Sequence, residues 1–319
     1  MEGRVLASEN SEPGLVLRRP VEWRTLALVI GCHAAWIAAG LLYAVIGWPA
    51  VFVLALPIAL HSSLQHEAIH GHPSASPALN EALVFLPIGL LVPFRRYRDL
   101  HLQHHVDERL TDPYDDPESF YESRESYDRL SWPMRRVLGW NNTLVGRMLI
   151  GPAITVVRFL RSEWRAARRS SGQERRALYK AWGLHAAGLL PVAGIVHYGF
   201  GMPVPLYLAS AYLALSLLAL RSFAEHQWAE EPGHRTVIVD SSVMGMLFLN
   251  NNLHLVHHVR PGLAWYELPA AYRNRKDEWD ALNNGYTFGG YRAITRKFGF
   301  RQKESVVHPS VTEATHPAR

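Results

Sequence analysis

TLALVIGCHAAWIAAGLLYAVIGWPAVFVLALPIALHSSLQ, residues 25 to 65, runs for 41 positions without an Asp, Glu, Lys or Arg. A second charge-free run, Ala181 to Leu220, covers 40. At 1.5 Å per helical residue and a hydrocarbon core of about 30 Å, each run is long enough to cross a bilayer twice. Turn formers break both near the middle. Gly47, Trp48 and Pro49 divide the first, and Gly199, Gly201, Pro203 and Pro205 divide the second, with Tyr198 and Phe200 placed for a membrane interface. The expected fold class is therefore all-α integral membrane, with four transmembrane helices in two hairpins and spans about 25–46, 50–65, 181–198 and 203–221.

The hairpin tips carry no charge, whereas Arg18, Arg19, Arg24, Arg95, Arg96, Arg98 and the Arg-rich stretch after Arg158 lie beyond the opposite ends. The positive-inside rule then makes both termini and the charged segments cytoplasmic. A net charge of +5 beside long apolar runs points to anionic lipid surfaces and excludes nucleic acid as the expected partner. The first twenty residues lack the apolar core and small-residue cleavage site of a signal peptide. Residues 1–24 read as a cytoplasmic segment, 25–302 as the membrane domain with a helical cytoplasmic cap, and 303–319 as a disordered tail. Ala82 to Phe94 and Met148 to Val157 are apolar but too short to span, and are expected in the interface or partway into it. Arg158 to Lys180 reads either as an in-plane amphipathic helix or as a solvated charged helix joining the hairpins.

The single cysteine, Cys32, excludes an intrachain disulfide and thiolate metal sites, so imidazole is the abundant donor: 17 histidines, most of them clustered. His66-Glu67-Ala68-Ile69-His70-Gly71-His72 follows the first run. His101-Leu102-Gln103-His104-His105 and His254-Leu255-Val256-His257-His258 share the spacing i, i+3, i+4, which gathers three imidazoles on one helical face. Two such matches in one chain arise by chance at a rate on the order of one in a thousand. Packing eight or nine imidazoles together without a cation leaves donors and acceptors unsatisfied and makes protonation self-repelling. A metal resolves both problems. His33, His61, His185, His197 and His234 read instead as ordinary core or surface histidines. His226, one turn beyond the last span, is a ninth donor at the depth of His66, and nine nitrogens suit two metals with open positions better than one closed tetrahedral zinc.

The boxes HEAIHGH, HLQHH and HLVHH resemble, in order and in position relative to the hairpins, those of the integral membrane fatty acid desaturase and hydroxylase superfamily. The resemblance covers roughly Thr25 to Tyr272. It implies a non-haem di-iron centre, O2 as co-substrate, a membrane lipid or acyl substrate, and electrons from a ferredoxin, rubredoxin or cytochrome b5. Carried over by motif, His66, His70, His101, His104, His105, His254, His257 and His258 would be iron ligands, with His226 in the place of the isolated ligand. His72 and Asn251 are candidates for orienting roles around them. Animal acyl-CoA desaturases carry an Asn four residues before the isolated histidine, where this chain has Ser222, so the water-bridging role is open between Asn250, Asn251 and Asn252. No His-Pro-Gly-Gly signature of a fused cytochrome b5 occurs, which makes the electron donor a separate protein. Asp112-Pro113-Tyr114-Asp115-Asp116-Pro117-Glu118, and His258 to Pro261 with Trp265 to Pro269, also resemble carotenoid ketolases.

The expected reaction is desaturation of a fatty acyl chain, with hydroxylation or ketone formation on an acyl chain or carotenoid as the alternative. Unactivated C–H bonds are beyond side-chain acids and bases, and the outcome depends on substrate placement. Orienting partners for the imidazoles are expected among Asp99, Asp107, Asp112, Glu225, Asp240 and Asn250 to Asn252. A rival comes from His66-Glu67-Ala68-Ile69-His70, which matches H-E-x-x-H zinc proteases with Glu67 as general base. A histidine-rich transporter would need its ligands at mid-bilayer instead of at span ends.

Overall fold

The computed structural model describes residues 21–106 and 109–310. Helix α1 (Trp23–Leu41) continues almost unbroken into α2 (Tyr43–Ile46). Gly47, at φ +68°, then reverses the chain into α3 (Ala50–Ile69). Short α4 (Pro77–Leu83), whose Ser76 cap accepts from the Leu79 N–H, leads through irregular turns to α5 (Phe94–His104). After a loop come α6 (Arg124–Asp128), α7 (Trp132–Asn141) and α8 (Leu144–Arg169). The corner between α7 and α8 bends by 118°. It needs Gly146, where a Cβ would meet the Trp140 carbonyl oxygen at 1.9 Å.

The second hairpin joins α9 (Gly172–Gly194), ending in a π turn at Ile195–Gly199, to α10 (Val204–Glu225). Beyond it lie β1 (Ile238–Val239), α11 (His254–Val259), α12 (Leu268–Asn274), α13 (Lys276–Leu282), β2 (Thr287–Phe288) and α14 (Tyr291–Phe298). The two strands pair in parallel, Ile238 opposite Thr287 and Val239 opposite Phe288.

Helix α3 packs between α1 and α10, and α8 covers the other side of α10. The buried core of this bundle runs through Trp36, Leu54, Ile58, Val192, Phe200 and Tyr207. One polar thread crosses it: the Trp36 indole N–H donates to the Tyr207 hydroxyl, which donates to the Ile88 carbonyl, both at 2.8 Å. Such groups in an apolar core must be mutually satisfied. The outer faces are apolar as well, with Val45 80%, Leu190 74% and Tyr198 86% exposed, a surface that suits lipid and not water.

Among the described residues, two helical stretches, Trp23–Ile46 and Val204–Glu225, are long and apolar enough to cross a membrane, or three if the bent pair α7–α8 counts as one. In α3 the last turns carry His61, Ser62, Ser63, Gln65 and His66, and α9 begins with Glu174, Arg175, Arg176 and Lys180, which dilutes the hydropathy of both.

Three sequence expectations are corrected. Arg158 to Lys180 is not one helix: its first half ends α8 and its second begins α9, because Ser170 is extended (ψ 151°) and Gly172 is left-handed (φ +52°). Met148 to Val157 is no separate segment but an interior stretch of α8. Lys303 to Ser310, expected to be disordered, is packed: the Lys303 N–H donates to Asn142 O, Glu122 N–H to Val306 O and His308 N–H to Glu122 O, at 2.8–2.9 Å. Residues 311–319, and the segment 1–20, lie outside the described residues.

Candidate metal centre

Helices α3 and α10 both run from their hairpin turn toward the same end of the bundle. There α3 presents His66 in its last turn and His70 as its C-terminal cap, while His226, in extended conformation (φ −130°, ψ 147°), terminates α10. Helix α5 supplies His101 and His104, with His105 capping it. Helix α11 supplies His254, His257 and His258 and is entered through Leu249 and Asn250, both left-handed at φ +50° and +55°. The Asn250 side chain fixes that turn by donating to the Trp265 carbonyl at 2.9 Å.

Among the described residues, all nine predicted donors fall into two groups. His66, His70, His101, His105 and His257 form one; His104, His226, His254 and His258 form the other; within each, a nitrogen from every ring lies within 4.8 Å of the rest. The three-imidazole faces do not stay whole. In both HxxHH boxes the i, i+4 pair remains together (His101 with His105, His254 with His258), and the third histidine (His104, His257) crosses to the other group. The groups share a wall where the His105 and His258 rings stack, 4.3 Å between centroids and 18° from parallel. The four-membered group is fully buried, and His70 and His105 give the other a half-buried side.

Orientation comes from the Nδ1 atoms. His101 Nδ1 lies 2.9 Å from Glu118 Oε1, and His104 Nδ1 2.8 Å from Asp116 Oδ1. His254 Nδ1 is 2.9 Å from Asn251 Oδ1, and His226 Nδ1 is 3.4 Å from the Thr236 hydroxyl. Carboxylate and amide oxygens only accept, so the first three rings carry their proton on Nδ1 and turn the Nε2 lone pair inward. Asp116 is itself fixed by the N–H groups of Thr111 and Glu118, at 2.8 and 2.9 Å. Without a metal, burial pulls the His104 imidazole down, but Glu118 and Asp116 outweigh it and lift its pKa to about 9. Burial, then the neighbouring His258 and His101, pushes His105 down to about 2.

Asn251 is thus the Asn that meets a histidine, while Asn252 donates to Val239 O and Ser222 is exposed. His72 belongs to neither group; its Nδ1 lies 2.6 Å from Glu22 Oε1. Asp99 pairs with Arg96 and Arg98, Asp240 with Lys276, and Asp112 caps its own turn at Tyr114. Glu225 does approach His254 Nδ1, at 3.7 Å, while paired with Arg221 at 2.7 Å. Asp107 lies outside the described residues. Asp116 and Glu118 stand in the acidic Asp112 to Glu118 stretch that resembles carotenoid ketolases, with no histidine assigned to either by sequence; Thr236 carries no sequence signal. Glu67 accepts from the Trp265 N–H at 3.1 Å, and His66 and His70 share their group with three further imidazoles, an arrangement unlike a protease zinc site.

The donor set fits metal ions. In the larger group, His101 Nε2 stands 3.1 Å from His70 Nε2 and 3.0 Å from His105 Nε2, which is 3.2 Å from His257 Nε2. In the smaller, His226 Nε2 lies 3.0 Å from His104 Nε2 and 3.1 Å from His254 Nε2, and His258 Nε2 is 3.2 Å from His254 Nε2. His66 Nε2 is buried without a hydrogen-bond partner. Nitrogens this close either share a proton between rings or give their lone pairs to a common cation. A metal–nitrogen bond of roughly 2.1 Å sets neighbouring ligands about 3.0–3.4 Å apart, a range that holds these pairs.

Residues 43–290 match the family model described as fatty acid desaturase, a stretch that holds all nine histidines. Among curated protein sequences, none matches the chain.

Proposed function

The chain belongs to the fatty acid desaturase family, and on that premise we propose that it is an O2-dependent membrane di-iron oxidoreductase that introduces a double bond into a fatty acyl chain. The observation that carries this reading is the pair of adjoining imidazole groups, five and four strong, with their Nε2 atoms turned inward. His66, His70, His101, His105 and His257 would hold one iron, and His104, His226, His254 and His258 the other. Bound there, the two irons would supply the oxidant drawn from O2 that an unactivated C–H bond requires. Desaturation removes two hydrogens from neighbouring carbons; with two electrons and two protons from outside, O2 leaves as two waters. Glu118, Asp116 and Asn251 keep the protons of His101, His104 and His254 on Nδ1, so that Nε2 is available to ligate. Burial of the smaller group keeps bulk water from that half of the site.

The same reading places the helices: α1 with α2, α3, α9 with its π turn, and α10 form four spans in two hairpins. The histidine end and both termini face the cytoplasm, and a separate ferredoxin, rubredoxin or cytochrome b5 delivers the electrons. The uncharged tips support this, with Trp48 64% exposed beside Gly47 and Tyr198 at the opposite hairpin.

A second reading, oxygen insertion into an acyl chain or carotenoid by the same centre, is favoured by one observation. The Asp112 to Glu118 loop, whose sequence resembles carotenoid ketolases, supplies the carboxylates on His101 and His104. Expression beside a ferredoxin or rubredoxin system, followed by mass spectrometry of lipids and carotenoids, separates the two. Loss of two hydrogens marks desaturation; gain of one oxygen marks hydroxylation, and gain of oxygen with loss of two hydrogens marks ketone formation. No product in any class, from protein that holds both irons, would contradict both readings.

A further inference from the structure

The residues after 290 lie beyond the stretch shared with the family, yet they reach the metal centre. Lys303 is buried, its side chain 3% exposed, and its ammonium donates to the backbone carbonyl of His226. Phe120, Phe223 and Tyr286 surround that ammonium, their ring centroids 4.8, 5.8 and 6.0 Å from it. His226 is the one donor outside the three boxes, and it stands where α10 has already ended, so no helix fixes its backbone. Its backbone is carried instead by a short bridge to Thr236, flanked by the Gln227 N–H to Arg235 O and Val237 N–H to Glu225 O bonds, and its ring by His104, His254 and the weak contact of the Thr236 hydroxyl to Nδ1. Lys303 therefore occupies the place that a helical hydrogen bond would otherwise fill.

The same segment holds a second support of the same group. His308, 5% exposed, lies with its Nε2 3.3 Å from the Thr111 hydroxyl, and its N–H donates to Glu122 O. Thr111 is β-branched at φ +73°, a conformation such residues avoid, so its neighbours must hold it there. Its N–H is one of the two that fix Asp116, the partner of His104. Both routes from the C-terminal segment end in the four-imidazole group, at His226 and His104; the five-imidazole group is touched only indirectly, through Glu118, which fixes Asp116 by its N–H and meets His101 by its carboxylate.

We propose that Lys303 and His308 make the segment Lys303 to Ser310 a latch that positions His226 and Asp116, and so completes the second metal site while leaving the first intact. This rests on the di-iron reading. The test is iron counted per chain, with a Mössbauer spectrum, on full-length protein carrying Lys303→Met, Lys303→Arg or His308→Phe, each checked for a monodisperse detergent peak and native helical dichroism. Lys303→Met is expected to fall from two irons toward one, a twofold loss, with one of two spectral components gone; Lys303→Arg, which keeps a donor, should recover most of the second iron. If Lys303→Met does not fold, His308→Phe, which keeps a ring and loses the Thr111 contact, gives the same reading. Retention of both irons with an unchanged spectrum, or equal loss of both, overturns the latch. Wild-type protein that takes up no iron would instead remove the di-iron reading beneath it.

Discussion

His105 and His258 stack face to face with their centroids 4.3 Å apart, yet each directs its Nε2 into a different group. The contact is the partition between two groups formed by one continuous set of rings, so imidazoles on either side can be removed singly. His257→Ala and His104→Ala should each abolish product while lowering bound iron by about half, since a second group of imidazoles survives. Metal analysis and product assay on one preparation check this, and full activity in either variant would refute the assignment.

Asp116 is buried and fixes the tautomer of His104. Asp116→Asn keeps the shape but offers an amide in place of the charge, so iron affinity or turnover should fall by roughly 10- to 100-fold. Competition with a calibrated chelator measures the affinity. Glu118→Gln should cost less, because its side chain is more than a third exposed, at 37%.

In metal-free protein the pH dependence of stability should have two limbs. His105, held at about 2 against about 6.5 when unfolded, makes the unfolded chain bind more protons below about 6.5, so its contribution is present above that pH and declines as pH falls. His104, lifted to about 9, makes the folded chain bind more protons between about 6.5 and 9; its contribution is present below that window and is lost as pH rises through it. Thermal unfolding in detergent across pH should peak near about 6.5, and Asp116→Asn should flatten the alkaline limb.

Loading with iron should replace the ring-to-ring Nε2 contacts with metal–nitrogen bonds. At free iron near 100 times its Kd, each site stabilises the fold by about 2.7 kcal/mol. Chelation should lower Tm and reloading should restore it; an unchanged Tm would mean that the groups bind nothing.

The polar thread through the bundle can be cut separately from the site. Tyr207→Phe leaves the Trp36 N–H and the Ile88 carbonyl without their partner, a cost of about 1–3 kcal/mol. Tm should drop while iron content per folded chain stays at its wild-type value.

The nine donors were legible because histidine at helical spacing, beside charge-free runs, has few other physical explanations. Their allocation was not. Sequence spacing places His101, His104 and His105 on one face, but a face three residues wide spans two adjoining sites, so the i+4 pair stays and His104 departs. Within the acidic Asp112 to Glu118 stretch nothing singled out Asp116 and Glu118, because a loop has no periodicity to mark a side chain that turns inward; Thr236, beside a bridge, carried no signal at all. The C-terminal segment escaped for the opposite reason: polar and aperiodic, it is held by backbone hydrogen bonds to Glu122 and Asn142 and by one buried ammonium. The short connection Ser170 to Gly172 divides a stretch whose charge pattern reads as one helix.

Elemental analysis and Mössbauer spectroscopy of wild-type protein, purified with iron supplied and oxygen excluded, test the central claim most directly. Two irons per chain, both in nitrogen-rich sites with open positions, is the predicted result. A single tightly held zinc, or one iron that all nine histidines are needed to retain, would contradict it.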